Sequence, residues 1–152
     1  MQVRIEKKPE IKIVGPVAIT KRADSETIKG LWESLEKAKK NISFKTEDFG
    51  YELHIEIEEN FHYCLTGLEV DEIKNLPLNC FAKTIPSGEY AIFAFEIARC
   101  GFKNAYEKIN EWLKDNVPPG SENYKKFEAQ VYDHRFKGME NPESIIEFRI
   151  PL

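Results

Sequence analysis

The 152-residue sequence predicts an α+β domain made of two units that share one plan, strand-helix-strand-strand in each half. Three observations predict it. The element order reads the same way twice along the chain. The stretches "GYELHIEIEEN" (50–60) and "KKFEAQVYDHRF" (125–136) alternate apolar and polar residues, as strands with two unlike faces do. Two other stretches, around Leu31 and Ile109, repeat apolar residues at helical spacing.

The first strand, "IKIVGPVAITKR" (11–22), is broken by Gly15-Pro16. Asp24 or Ser25 then caps a helix whose Ile28, Leu31, Trp32 and Leu35 form one stripe. In 50–60, Tyr51, Leu53, Ile55 and Ile57 share one side, and Glu52, His54, Glu56 and Glu58 the other. A turn at Glu59-Asn60 returns "FHYCLTGLEV" (61–70) as the hairpin partner. The first half therefore covers about 1–70, and "DEIKNLPLN" (71–79) is the expected linker.

The second half, 80–152, opens with "FAKTI", the turn "PSGE" and the strand "YAIFAFEIA" (90–98). Its helix carries Phe102, Tyr106, Ile109 and Leu113 on one stripe, flanked by Ala105 and Trp112. It stops before "NVPPGS", where paired prolines cannot continue it. In the strand that follows, Phe127, Ala129 and Val131 oppose Glu128, Gln130 and Tyr132. In the last, "SIIEFRIPL", Ile146, Phe148 and Ile150 oppose Ile145, Glu147 and Arg149.

Each helix stripe needs an apolar strand face to bury against. That assigns Glu52, Glu56, Glu128, Gln130, Tyr132 and Glu147 to the faces turned away from the helices. Two such sheets, meeting edge to edge and curving, form a cleft from those faces. The alternation does not settle which way Tyr51, Tyr63, Tyr90 and Phe93 point.

Composition narrows the function. A net charge of −4 with dispersed basic residues lacks the concentrated positive footprint of a nucleic-acid binder, and suits a cationic or neutral partner better. No apolar run approaches the roughly 18 residues that cross a membrane, and "MQVRIEKKPE" is no signal peptide, so a soluble cytoplasmic protein is expected. Cys64, Cys80 and Cys100 are odd in number without a CxxC spacing, and His54, His62 and His134 are dispersed. Neither a disulfide framework nor a metal site is expected. Ser87 sits in a turn without the context of a nucleophile.

Six stretches in order resemble one family: "IKGLW" (28–32), "HYCLTGLEV" (62–70), "KTIPSGEYAIFAF" (83–95), "INEWL" (109–113), "VYDHRF" (131–136) and "IIEFRIPL" (145–152). The chain resembles the GyrI-like small-molecule-binding domains, which also form the effector-binding part of some AraC-type and MerR-type multidrug regulators. The resemblance implies two pseudo-twofold-related strand-helix-strand-strand units around a central cleft. It implies lipophilic, often cationic, aromatic ligands and a glutamate at the base of the cleft. No helix-turn-helix segment accompanies the domain in this sequence, so a stand-alone member is expected.

In the family the glutamate commonly sits two residues before the tyrosine of the "YD-RF" stretch, where this chain has Gln130. Glu128 either lies one pleat repeat away, roughly 6.5 Å along the same face, or takes the family position through a slipped alignment. Glu147 falls at an acid of the family's last strand, but Arg149 replaces the usual aromatic two residues later and stands where it would neutralise Glu147.

The expected ligand-binding residues are Glu128, Gln130, Tyr132, Glu147, Trp32, Trp112, Tyr90 and Phe93, with no catalytic residue assigned and no cofactor. The expected activity is binding, for sequestration or for sensing through a protein partner such as a regulator or gyrase. The alternative is hydrolysis of strained cyclopropane-containing genotoxic compounds, which some family members carry out with cleft glutamate and aromatic residues. A related fold has tetrapyrrole-binding members, but no His or Cys sits in an evident ligand context here.

Overall fold

A computed structural model describes residues 2–21 and 24–152, apart from the side chains of Gln2 and Asp48. Met1 and Arg22, the latter closing the expected first strand, lie outside the described residues. The elements run β1 (Gln2–Lys8), β2 (Ile11–Gly15), β3 (Val17–Lys21), α1 (Ser25–Ala38), β4 (Lys45–Glu58) and β5 (Phe61–Val70). They continue with β6 (Phe81–Ile85), β7 (Gly88–Glu96), α2 (Ile97–Asn116), the short α3 (Asn123–Lys126), β8 (Phe127–Tyr132) and β9 (Ile145–Pro151). A single turn of 3-10 helix, Lys39–Asn41, ends α1. Gly101, at φ 73°, breaks α2 after its first turn, a left-handed conformation that glycine adopts without strain.

All nine strands described join one antiparallel sheet, ordered β1-β7-β9-β8-β4-β5-β2-β6, with β3 pairing β5. Exchange β1 with β6, β2 with β7, β4 with β8 and β5 with β9, and the order becomes its own reverse. The fold is α+β, and its two units are related by a pseudo-twofold passing between β4 and β8.

Each unit also has one strand more than expected ahead of its strand-helix-strand-strand core, and these two strands are exchanged. β1 pairs with β7 of the second unit, and β6 with β2 of the first.

The exchange forces the sheet to curl. β1 and β2 stand first and seventh in the strand order, which in a flat sheet would set them roughly 29 Å apart. Only residues 9 and 10 join them, and that link reaches roughly 10 Å. Residues 86 and 87 impose the same constraint on β6 and β7. The sheet therefore rolls into a barrel-like curve around its own apolar filling of Ile13, Tyr51, Leu53, Tyr90, Ile92, Ala129 and Val131.

The helices sit outside the curve. α2 buries Ala105, Ile109 and Leu113 against Phe93, Phe95, Ile146 and Phe148. α1 buries Leu35 and Ala38 against Val14, Leu68 and Val70.

This corrects the expected facing. The apolar faces of β4 and β8 were expected to meet the helices, but they line the inside of the curve. Their polar faces, with Glu52, Gln130 and Tyr132, turn to the helix side. The reason is placement: α1 packs on β5 and β3, and α2 on β7, so the two central strands run in the gap between the helices.

Ile109 is buried in the α2 seam, so Ile109→Val should cost about 0.5–1.5 kcal/mol in a urea titration. A neutral result would place the helix stripe elsewhere. Among the described residues, no helix is long and apolar enough to cross a membrane.

Candidate functional site

The gap over β4 and β8 is a cavity of about 690 Å³, within the usual range for small-molecule sites. Its walls come from Ile28 and Trp32 of α1 and from Phe102 and Tyr106 of α2. Phe136 and Met139, from the loop between β8 and β9, close a third side. The floor is polar, built from Glu52 of β4 and from Gln130 and Tyr132 of β8.

Alternation explains the floor. Glu52 and Gln130 are register partners across the β4–β8 seam, and Gly50 pairs with Tyr132. Gly50 is required for space, because a Cβ there would lie 2.7 Å from the Trp32 ring. Trp32 can thus lie over the strand and meet Tyr132 edge to face, with ring centroids 4.8 Å apart. Phe136 extends the aromatic wall, 4.9 Å from Tyr132.

Glu52 is 4% exposed. The Trp32 indole N–H donates to its Oε2 at 2.8 Å, the Tyr132 hydroxyl approaches the same oxygen at 3.4 Å, and His54 Nε2 lies 2.7 Å from Oε1. The floor continues as a chain of hydrogen bonds. Tyr132 donates to Gln130 Oε1 at 2.9 Å, Gln130 Nε2 donates to the Tyr106 hydroxyl at 2.9 Å, and Tyr106 donates to Glu128. Burial first, and then the neighbouring Glu128, push the Tyr106 phenol up; burial and Glu52 do the same to Tyr132. Both phenols therefore stay protonated as donors at neutral pH.

Of the residues expected at a site, Trp32, Gln130 and Tyr132 line this cavity. Glu128 lies behind Tyr106, on a second cavity of about 260 Å³ that also takes His54, Glu56 and His62. The other four lie elsewhere. Tyr90 faces the inside of the curved sheet. Phe93 and Trp112 pack on each other beneath α2, 5.4 Å apart.

Glu147 is on the opposite face of the sheet from Glu128, because it pairs with Val131 and not with a polar residue. There it is 3% exposed and bound by three arginines: Arg135 at 2.8 Å, Arg149 at 2.8 Å and Arg4 at 3.2 Å.

Glu52, Tyr106, Phe102, Phe136 and Gly50 were not among the expected ligand-binding residues. The signal for Glu52 was available, since alternation put it in the same polar row as Gln130. For Tyr106 the helical spacing indicates only a place on the α2 stripe.

A family model described as an integron-associated effector binding protein matches residues 4–152. The chain belongs to that family. It is a GyrI-like effector-binding domain, and its curved sheet with two outer helices is the fold seen in structural neighbours of that kind. This family member is 26% identical over 154 residues to the transcriptional regulator BrlR of Pseudomonas aeruginosa, covering all of this chain and 56% of the regulator. The chain thus spans about half the length of that curated relative.

Among solved structures, the C-terminal domain of EcmrR superposes with a TM-score of 0.71 at 16% identity, over 99% of this chain and 96% of that one. SAV2435, solved bound to tetraphenylphosphonium, gives 0.69 at 15% identity, over 99% and 93%. At these identities the likeness establishes the fold.

Proposed function

We propose that this effector-binding domain takes lipophilic, cationic aromatic compounds into the cavity between α1 and α2, with Glu52 as their counter-charge. One contrast carries the reading. Among the described residues, two carboxylates are deeply buried at the sheet, Glu147 and Glu52. Glu147 is neutralised by three arginines. Among the described residues, Glu52 has an indole, a phenol and an imidazole as partners, at the floor of an aromatic-walled cavity.

A carboxylate in low-dielectric surroundings attracts a cation more strongly than one in water, and aromatic faces add about 0.5–2 kcal/mol for a cation placed over them. The tetraphenylphosphonium bound to SAV2435, a neighbour in fold, is a ligand of the same chemistry. The role is that of a sensor or sequestering module working with a protein partner, and the dispersed basic residues give it no affinity for nucleic acid of its own.

The test is a calorimetric titration of the full chain with tetraphenylphosphonium and with neutral triphenylphosphine oxide. The cation should bind in the micromolar range, and the neutral compound weaker by about tenfold or more, or 1.4 kcal/mol. Equal affinities would reduce the cavity to a shape-selective site, and no binding of either would overturn the proposal.

A further inference from the structure

We propose that Glu52, His54 and Cys64 together form a binding site for a borderline-soft divalent ion of the zinc class. The histidines and cysteines are scattered in sequence, but the β4–β5 hairpin gathers them: His54 and Cys64 are register partners, and Glu52 follows two residues along the same face. One donor atom from each residue lies within 4.8 Å of the other two. An ion at the centre of a triangle with sides of that length would sit about 2.8 Å from each donor. A contraction of about 0.5 Å for the thiolate and about 0.7 Å for the imidazole and the carboxylate reaches ordinary zinc distances.

The donor set names the class of ion. A thiolate, an imidazole and a carboxylate suit zinc or cobalt, whereas calcium and magnesium take oxygen donors. Three protein ligands also leave a fourth position open, as in zinc sites that bind a water or a small ligand.

A second observation points to the same place. Thr66 is the register partner of Glu52 and is completely buried, and its hydroxyl has no hydrogen-bond partner among the described residues. A metal-bound water would give it one. The ion has a route in, because Glu52 and His54 both line the main cavity and His54 also lines the second. On binding, the Cys64 thiol gives its proton to solvent and the thiolate ligates the ion.

This site shares Glu52 with the proposed organic-cation site but does not depend on it, and its test uses no organic cation. Cobalt(II) is added to the reduced, metal-free full chain. A thiolate-to-cobalt charge-transfer band should grow and saturate at one equivalent. Cys64→Ser should abolish the band, whereas Cys80→Ser and Cys100→Ser should keep it.

His54→Gln removes a ligand at a less buried position and should weaken cobalt binding by about tenfold or more with the circular dichroism unchanged. That arm keeps the test decisive if Cys64→Ser fails to fold. Absence of a thiolate band in the unaltered chain, a band that follows Cys80 or Cys100, or undiminished affinity in His54→Gln would each overturn the proposal. A failed tetraphenylphosphonium titration would leave this result untouched.

Discussion

Replacing Glu147 by alanine is expected to cost about 3–5 kcal/mol of stability in a urea titration at neutral pH, because it strips a buried carboxylate from cationic partners. Arg135 and Arg149 each bond Glu147 at 2.8 Å, and Asp133 also holds the Arg135 guanidinium, Oδ2 to Nη2 at 2.6 Å. The cluster ties the loop after β8 back onto β9. Without the acid, Arg135 keeps Asp133 among the described residues, and the charge of Arg149 is left against the Tyr51 ring, 6.0 Å from its centre.

The same cluster gives a pH dependence with a definite sign. Burial works to raise the carboxyl of Glu147, but the bonds from Arg135 and Arg149 outweigh it and hold the group below its ordinary 4.5. Asp133 is lowered against burial in the same way by Arg135. Folded values below the unfolded ones mean stability that is fully present above the ordinary carboxylate range and lost as pH falls through the lowered values. The unaltered protein should therefore lose stability below about pH 4.5 more steeply than Glu147→Gln, which has no such proton to take up. A loss under about 1 kcal/mol in Glu147→Ala would mean that the arginines find water instead.

Glu52→Gln should weaken tetraphenylphosphonium binding by about 2–5 kcal/mol while leaving triphenylphosphine oxide nearly unaffected. The substitution is close to isosteric, and the glutamine oxygen can still accept from the Trp32 indole, so the aromatic wall stays where it is. Only the charge is removed. Glu128→Gln is the matched control: Glu128 lies behind Tyr106 on the second cavity, and its loss should change cation binding much less. Equal losses for both probes in Glu52→Gln would assign the effect to packing. A larger loss in Glu128→Gln would move the counter-charge to the second cavity.

The difference between Glu52 and Glu128 shows what could be read in advance and what could not. Alternation placed Glu52, Glu128, Gln130 and Tyr132 on common strand faces, and the helical spacing marked Leu31, Leu35, Ile109 and Leu113, which are buried. But alternation leaves one binary choice open, namely which face of the strand meets the helices. For β7 and β9 the apolar face does, as Phe93 and Phe148 show. For β4 and β8 it does not, because neither helix packs over them.

That outcome depends on how far apart the helices stand, which is a property of the whole sheet. The exchange of β1 and β6 is equally silent, since pairing Ile5 with Ala91 or Ile13 with Lys83 leaves no local trace. The surroundings of Glu147 are hidden in the sequence for a related reason. Arg149 beside it was visible, but Arg135 and Arg4 reach it from distant parts of the chain.

The exchanged strands also decide how the cavity accommodates a guest. A two-lobed receptor ordinarily swings its lobes about a hinge. Here such a swing would tear three ladders together: β4 from β8 at the seam, β1 from β7, and β6 from β2. The lobes are clasped, each gripping a strand of the other. Adjustment to guests of different size falls to Phe136 and Met139 of the loop between β8 and β9, while Trp32 stays bonded to Glu52 and the sheet beneath keeps that carboxylate at a constant depth.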